Sequence, residues 1–349
     1  SNPTLTDCTF TSNSANVNGG GMYNLESSSP TLTDCTFTDN SADVSGGGIW
    51  SDPDSIPILA SSIVCGNSPD QMYGFWDSDG SNCVAGTCDD QNGNGVPDIC
   101  DGSGGATLLV PSEYATIESA VDAAAYGDVV LVAAGIYSPT RTINPQGKPV
   151  TVRGAVDGAG EPTTIIDGGG VMRVLQCNGG EGATTVFENL VIQNGYSSGD
   201  GGGMYNYPSS PTITNCTFAN NTAAGLGGGM FNQSSNPTLT DCRFTGNSAA
   251  GNGGGMYNLD FSSPTLSDCT FTDNSANESG GGMYNRSSSS PALANCEFAN
   301  NAVGNRGGGM YNRLSCNPVL TGCAFTGNSA DLSGGGMYNS QSSPTLANC

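Results

Sequence analysis

The sequence predicts an all-β solenoid of stacked parallel strands, a β-helix, and three observations predict it. First, a segment of the form Ser-Pro-Thr-Leu-Thr-Asp-Cys-Thr-Phe-Thr-Asp-Asn-Ser-Ala, closed by Gly-Gly-Gly-Met-Tyr-Asn, recurs with small variations along the 349 residues. Second, triple glycines begin at Gly19, Gly46, Gly201, Gly227, Gly253, Gly280, Gly307 and Gly334, so that neighbours within each block lie 26 or 27 residues apart, a solenoid period. Third, Thr4-Leu5-Thr6-Asp7-Cys8-Thr9-Phe10-Thr11 alternates polar and apolar, and no part of a copy carries a 3.6-residue apolar stripe. Three short strands and three turns use up one copy and return the chain to its starting azimuth, so each strand stacks on its counterpart at about 4.8 Å.

Stacking turns equivalent residues into ladders. Leu5, Leu32, Ile213, Leu239, Leu266, Leu293 and Leu320 form one, and Phe10, Phe37, Phe218, Phe244, Phe271, Phe298 and Phe325 another; both belong inside. Met22, Ile49, Met204, Met230, Met256, Met283, Met310 and Met337 form a third, beside an aromatic column of Tyr23, Trp50, Tyr205, Phe231, Tyr257, Tyr284, Tyr311 and Tyr338. Adjacent strand residues face opposite ways, so one of these two columns must point outward. Asn13, Asn40, Asn221, Asn247, Asn274, Asn301 and Asn328 fall where the strand turns. Asparagine suits that corner because it tolerates the left-handed conformation and its amide can bond the amide of the next coil. The triple glycines read as a turn that needs positive φ and close backbone approach. No Gly-Lys-Ser/Thr follows them, which argues against a phosphate loop.

Composition narrows the function. Eight basic residues against 31 acidic give a net charge of −23, which repels nucleic acid and anionic membrane and attracts divalent cations. No apolar run approaches the ~20 residues that span a bilayer. Cys8, Cys35, Cys216, Cys242, Cys269, Cys296, Cys323 and Cys349 occupy one repeat position. Their stacking distance lies within the window of a disulfide, so geometry alone leaves the redox state open. A stack of buried thiols is the expectation, since every neighbour is equivalent. Cys65, Cys83, Cys88 and Cys100 stand apart in an acidic segment as disulfide candidates, Cys65 with Cys83 and Cys88 with Cys100, which points to an oxidising extracellular setting. Cys177 and Cys316 have no evident partner.

Three regions follow: residues 1–75 as the last coils of one β-helix, 76–104 as an Asp/Asn/Gly/Cys-rich linker, and 105–349 as a second, capped β-helix. In the second, Ile117, Ala120, Val121 and Ala124 recur at helical spacing and predict a short helix near 116–125 that covers the first coil. Strands are expected at 128–132, 149–152, 163–166 and 185–192. Residues 343–349 align with 2–8, so the expectation is a window on a tandem fibre, or a protomer that stacks head to tail.

Residues 109–194, with Val110-Pro111-Ser112-Glu113-Tyr114, Gly127-Asp128-Val129-Val130-Leu131-Val132 and Glu188-Asn189-Leu190-Val191-Ile192-Gln193-Asn194-Gly195, resemble the capped first coils of right-handed parallel β-helix proteins of the pectin-lyase-like superfamily. The later Gly-Gly-Gly-Met-Tyr-Asn copies resemble secreted bacterial repeat proteins of planctomycete-like type and polymorphic outer-membrane proteins. These resemblances imply a right-handed solenoid and say little about activity.

Within the linker, residues 90–101 place Asp90, Asn92, Asn94, Asp98 and Asp101 at loop positions 1, 3, 5, 9 and 12, the Val96 carbonyl at 7 and Gly95 at 6, which is calcium spacing. The segment resembles the calcium loops of dockerin and thrombospondin type 3 repeats, although Asp101 is shorter than the closing glutamate. Ca2+ stiffening the junction is the leading reading, and an unliganded acidic turn the other.

Catalysis has little to stand on. Glycoside hydrolysis needs two carboxylates together, whereas Asp7, Asp34, Asp241 and Asp268 recur singly and alternate with Asn215, Asn295 and Gly322, as a solvated polar ladder would. The chain has no histidine, Lys148 is its single lysine, and Arg173, Arg243, Arg286, Arg306 and Arg313 remain as candidate lyase bases. Asn215, Asn220, Asn232, Asn277 and Asn285 head Asn-x-Ser/Thr triplets and are candidate glycosylation sites. The expected function is a non-catalytic extracellular fibre whose partner is itself; an adhesin that binds glycans or a cell surface is the first alternative and a polysaccharide lyase the second.

Overall fold

A computed structural model describes residues 2–52, 54–73, 77–78, 83–85 and 106–349, with backbone alone at 77, 78, 83 and 85. The candidate calcium-binding residues within 90–101, the side chain of Cys83, and Cys88 and Cys100 lie outside the described residues. The chain divides into two compact units, Ser1–Ala106 with Ala125–Asp128, and Thr107–Ala124 with Val129–Cys349.

In the second unit the Leu column lies in a 10-stranded sheet that runs from Thr107–Val110 to Thr345–Ala347, and the Phe column in an 8-stranded sheet from Gly135–Tyr137 to Ala324–Thr326. The Met-Tyr-Asn strands make a 7-stranded sheet from Leu175–Cys177 to Met337–Ser340. Every strand pairing within these sheets is parallel, and in the repeats it joins equivalent residues, Phe244 with Phe271 and Met256 with Met283 for example. A fourth strand, which the three-strand reading did not anticipate, pairs the two-residue Ser-Ala segments in a 6-stranded sheet from Tyr196–Ser197 to Ser329–Ala330. Its inward alanines, Ala249 and Ala276, pack with Val303.

The interior follows the ladders. Leu, Phe, Met and Cys columns form one continuous buried cluster, in which phenylalanine rings stack at 4.7 to 4.8 Å with planes 4 to 5° apart. The predicted helix forms at Ile117–Ala123. The Thr116 hydroxyl caps its first turn by accepting from the Ser119 amide at 3.2 Å. The Lys148 ammonium closes the other end by donating to the carbonyls of Val121 at 2.6 Å, Asp122 at 3.0 Å and Ala124 at 2.8 Å. Ile117, Ala120 and Val121 are buried against the first coil.

The first unit repeats the plan over fewer coils. Strand pairing there runs past residue 75: Asp77 pairs with Ile58, and Cys83 with Ile63. Pairing thus continues beyond residue 75 into the segment read as linker, because degenerate copies without the cysteine or the triple glycine still offer backbone edges.

Two glycines show why the triple is fixed. Gly253 sits at φ +71, and a Cβ on Gly254 would lie 2.2 Å from the Ser275 carbonyl oxygen and 2.6 Å from that of Gly281. Only glycine lets adjacent coils approach so closely.

Candidate functional site

The asparagine corner is a fully bonded column. Asn247 Oδ1 accepts from the Asn221 backbone amide at 3.0 Å and from Asn221 Nδ2 at 3.0 Å. Its Nδ2 donates to Asn274 Oδ1 at 2.9 Å and to the Phe218 carbonyl at 2.9 Å. Both acceptor sites and both donors of the amide are thus satisfied. Asn274 and Asn301 repeat this, Asn221 heads the run with its Oδ1 accepting from the Gly195 amide at 2.8 Å, and Asn328 closes it. In the first unit Asn13 bonds Asn40 and Asn40 bonds Asn67. There the Gln71 side chain takes the place of the next asparagine, its Oε1 accepting from Asn67 N and Nδ2 at 2.9 Å.

The left-handed residue at this corner is the one before the ladder asparagine: Ser12, Asp39, Asn220, Asp273 and Asn300, with Gly246 and Gly327 in other coils. The asparagine is kept for its amide, and its neighbour supplies the positive φ. A second left-handed corner lies just before the cysteine column, at Asp7, Asp34, Asn215, Asp241, Asp268, Asn295 and Gly322. Asp7, Asp34, Asp241, Asp268, Asn295 and Gly322 are exposed there, as in the expected solvated ladder, and Asp, Asn and Gly alternate because they also tolerate this conformation.

Two further buried columns escaped the sequence reading. The asparagine of each Met-Tyr-Asn faces inward: Asn206 Nδ2 donates to Asn232 Oδ1 at 2.7 Å, and Asn232 to Asn258, Asn258 to Asn285, Asn285 to Asn312 and Asn312 to Asn339 at 2.8 Å. The signal was the period of two, since an inward Met places the residue two along inward as well. In the turn that follows, backbone amides of Ser209, Ser235 and Ser262 donate to the hydroxyls of Ser235, Ser262 and Ser289 in the next coil. Cys316 occupies this serine column, donating its backbone amide to the Ser342 hydroxyl at 3.1 Å. Cys177 pairs in register with Asn206 at the head of the inner asparagine column.

These columns sort the glycosylation candidates. Asn232 and Asn285 are fully buried with their amides donating, so a glycan on either would displace a ladder bond. Half-buried Asn215 donates to Gly160 and Asn189. Asn220 and Asn277 are exposed.

The ladder cysteines are free thiols. Each described one donates to nearby carbonyls, Cys216 to Thr214 at 3.3 Å and Phe187 at 3.5 Å. Burial pushes the Cys216 thiol up to about 12, and a bond to Cys269, with burial, raises Cys296 to about 12. Such thiols are poor nucleophiles. Cys65 is disulfide-bonded, to a partner outside the described side chains.

Of the candidate bases, Arg243 is held by Glu161 through two bonds of 2.7 and 3.0 Å. Arg173 lies against the Tyr205 ring and donates to the Gly201 and Asp200 carbonyls. Arg286, Arg306 and Arg313 instead surround a cavity of about 240 Å3 on the outer side of the Met-Tyr-Asn sheet, lined also by Asn252, Glu278, Ser279, Asn305, Tyr284 and Tyr311. Burial pushes the Tyr257 hydroxyl up to about 12, opposed by the hydrogen bond it makes with Arg286; Tyr284 is raised the same way and bonds Arg313. Asp260 lies near Arg286 without pairing to it, and accepts from Gln233 at 3.0 Å. Among the described residues no group of three or more Cys, Asp or Glu could hold a metal, and no helix is long and apolar enough to cross a membrane.

Parallel strands in register, coil on coil, define a β-helix repeat protein. The chain belongs to the right handed beta helix region family, whose model matches residues 164–302 and 262–349. The Chlamydia polymorphic membrane protein repeat matches residues 34–52. A pectin methylesterase from Aspergillus niger is similar at 15% identity and a TM-score of 0.37, over 70% of this chain and 86% of that one, a likeness too distant to carry fold or function across. No curated protein matches.

Proposed function

We propose that the chain is a non-catalytic, extracellular structural β-helix whose task is to be a stiff rod, in a filament or at a cell surface. The observation that supports this reading is the continuity of the axial hydrogen bonding: corner amides, inner amides and backbone all bond from coil to coil, so bending the rod strains every column at once. Carboxylates among the described residues are scattered or bonded into the scaffold, as Glu181 is by Gly147 and Gly179 amides at 2.8 Å and the Ser209 hydroxyl at 2.7 Å. In this reading Asp90, Asn92, Asn94, Val96, Asp98 and Asp101 hold a structural Ca2+, and Asn220 and Asn277 are the positions open to glycans.

Electron microscopy of native material with and without a calcium chelator tests it. Long filaments with a regular axial repeat that fragment without calcium are expected; compact dispersed particles under both conditions refute the fibre. The polymorphic membrane protein repeat match favours a second reading, a surface-displayed adhesin, which calls for surface labelling and saturable binding to cells.

A further inference from the structure

The outer side of the second unit gathers three arginines, Arg286, Arg306 and Arg313, around one cavity. Arg286 and Arg313 are register neighbours on adjacent parallel strands. Both are exposed, and neither forms a salt bridge with a described residue. Like charges placed opposite one another across a strand pair are destabilising. The chain has only eight basic residues against 31 acidic ones, and the same column elsewhere holds Gln233, Leu259 and Ser340. Arg306 adds a third cation from a column whose other members in this unit are Asp200, Leu226, Asn252, Ser279 and Ser333, its guanidinium 5.3 Å from the Tyr338 ring centre.

The aromatic column changes at the same place. Tyr257 and Tyr284 stack with planes 4° apart, but Tyr284 and Tyr311 meet at 88° and Tyr311 and Tyr338 at 60°. This turn of the rings accompanies the cavity of about 240 Å3, whose lining is mixed. Three arginines line it together with Asn305 and with Glu278, whose carboxylate accepts from Asn252 Nδ2 at 2.7 Å.

We propose that this cavity binds one acidic sugar unit, its carboxylate on Arg286 and Arg313 and its hydroxyls on Glu278, Asn252 and Asn305. The planar guanidinium fork matches a carboxylate. Glu278 repels a second anionic group and accepts from hydroxyls, so the occupant carries one charge and several donors. The volume is below the roughly 300–1,000 Å3 of pockets that enclose drug-sized ligands, which suits a single ring. Beyond the arginines the chain is strongly acidic, and within a screening length of about 8 Å it disfavours a long polyanion. The site requires only the folded second unit, so its failure would leave the rod reading standing.

Calorimetric titration of the whole chain with sodium D-glucuronate, D-glucose and sodium acetate tests the proposal. Saturable glucuronate binding is expected, tighter than either control and weakened about tenfold or more by Arg286→Gln or Arg313→Gln, the loss of a charge-assisted bond. Arg243→Gln, which breaks the remote pair with Glu161, should leave binding unchanged. Each of the first two variants gives up a bond to a tyrosine hydroxyl as well as a like-charge contact, so Tm is measured beside binding, and a Tm within a few degrees of the parent separates lost binding from lost folding. Absent glucuronate binding, binding untouched by the arginine variants, or acetate binding as tightly as glucuronate would each overturn it.

Discussion

The outward aromatic column differs between the two units. In the first, Tyr23 and Tyr73 are 49% and 52% exposed; in the second, Tyr257, Tyr284 and Tyr311, at the same repeat position, are 1%, 3% and 7% exposed. The residue is the same and its neighbours are not. In the second unit Leu226 and Leu259 pack against the rings, and Arg286 and Arg313 reach over Tyr257 and Tyr284. In the first, the flanking column holds Asn18 and Ser45, which bond each other at 2.9 Å instead of covering the rings. Burial of an outward ladder is thus decided by the columns beside it. Exposure in the first unit does not make a sugar platform, because Tyr23 and Trp50 stack face to face at 4.5 Å and 7°. Neighbours cover the ring faces and leave mainly edges to solvent.

Substitution should expose this contrast most strongly at the aromatic position itself. Tyr257→Ala is expected to cost about 3–5 kcal/mol, as deletion of a buried aromatic does, whereas Tyr23→Ala should cost about 0.5 kcal/mol, as at an ordinary surface site. Hydrogen exchange resolved coil by coil in the whole chain would measure both, and equal effects would remove the distinction. The glycine turn should show no contrast. Gly254→Ala and Gly47→Ala each drive a Cβ to 2.2 Å from a carbonyl oxygen, of Ser275 and Ser68, and both should lose about 3 kcal/mol. A smaller and again shared loss, about 1–3 kcal/mol, is expected for Asn247→Ala and Asn40→Ala, which leave buried ladder partners unbonded; chemical denaturation followed by exchange would register it.

Alkaline pH gives the gentlest probe. Burial raises Cys216 from 9.0 to about 12 and Tyr257 from 10.0 to about 12. The stability tied to their neutral forms is full below the unfolded-state values and lost as pH rises toward the folded ones. Exchange measured from pH 8 to 11 should show the second unit loosening progressively. A flat profile would mean that the thiols and phenols there are not desolvated.

Much of this was legible in the sequence because a solenoid repeats its errors as well as its rules. The Leu, Phe and Met columns, the glycine turn and the capping helix could be read from equal spacing and periodicity alone. The left-handed corners were read one residue off, although the alternation of Asp7, Asn215 and Gly322 carried the signal. Asn67 was missed because its copy has Ser62 in place of the cysteine, and nothing in a repeat alignment announces that Gln71 will stand in for a neighbouring coil. Arg286 and Arg313 share a repeat position that the sequence displays, but the cavity between them depends on the rotation of Tyr311, which no spacing encodes.

The inner asparagine column has a further consequence. From Asn206 to Asn312 every amide donates in the same sense along the axis, ending on Asn339 Oδ1, and the first member's Oδ1 is buried without a partner. Aligned amides form a line of dipoles that polarise one another, so no single asparagine can flip without leaving two mismatched contacts. The column behaves as one switchless vector buried in the wall, and it gives the second unit's solenoid an electrical head and tail that its nearly identical coils do not reveal from outside.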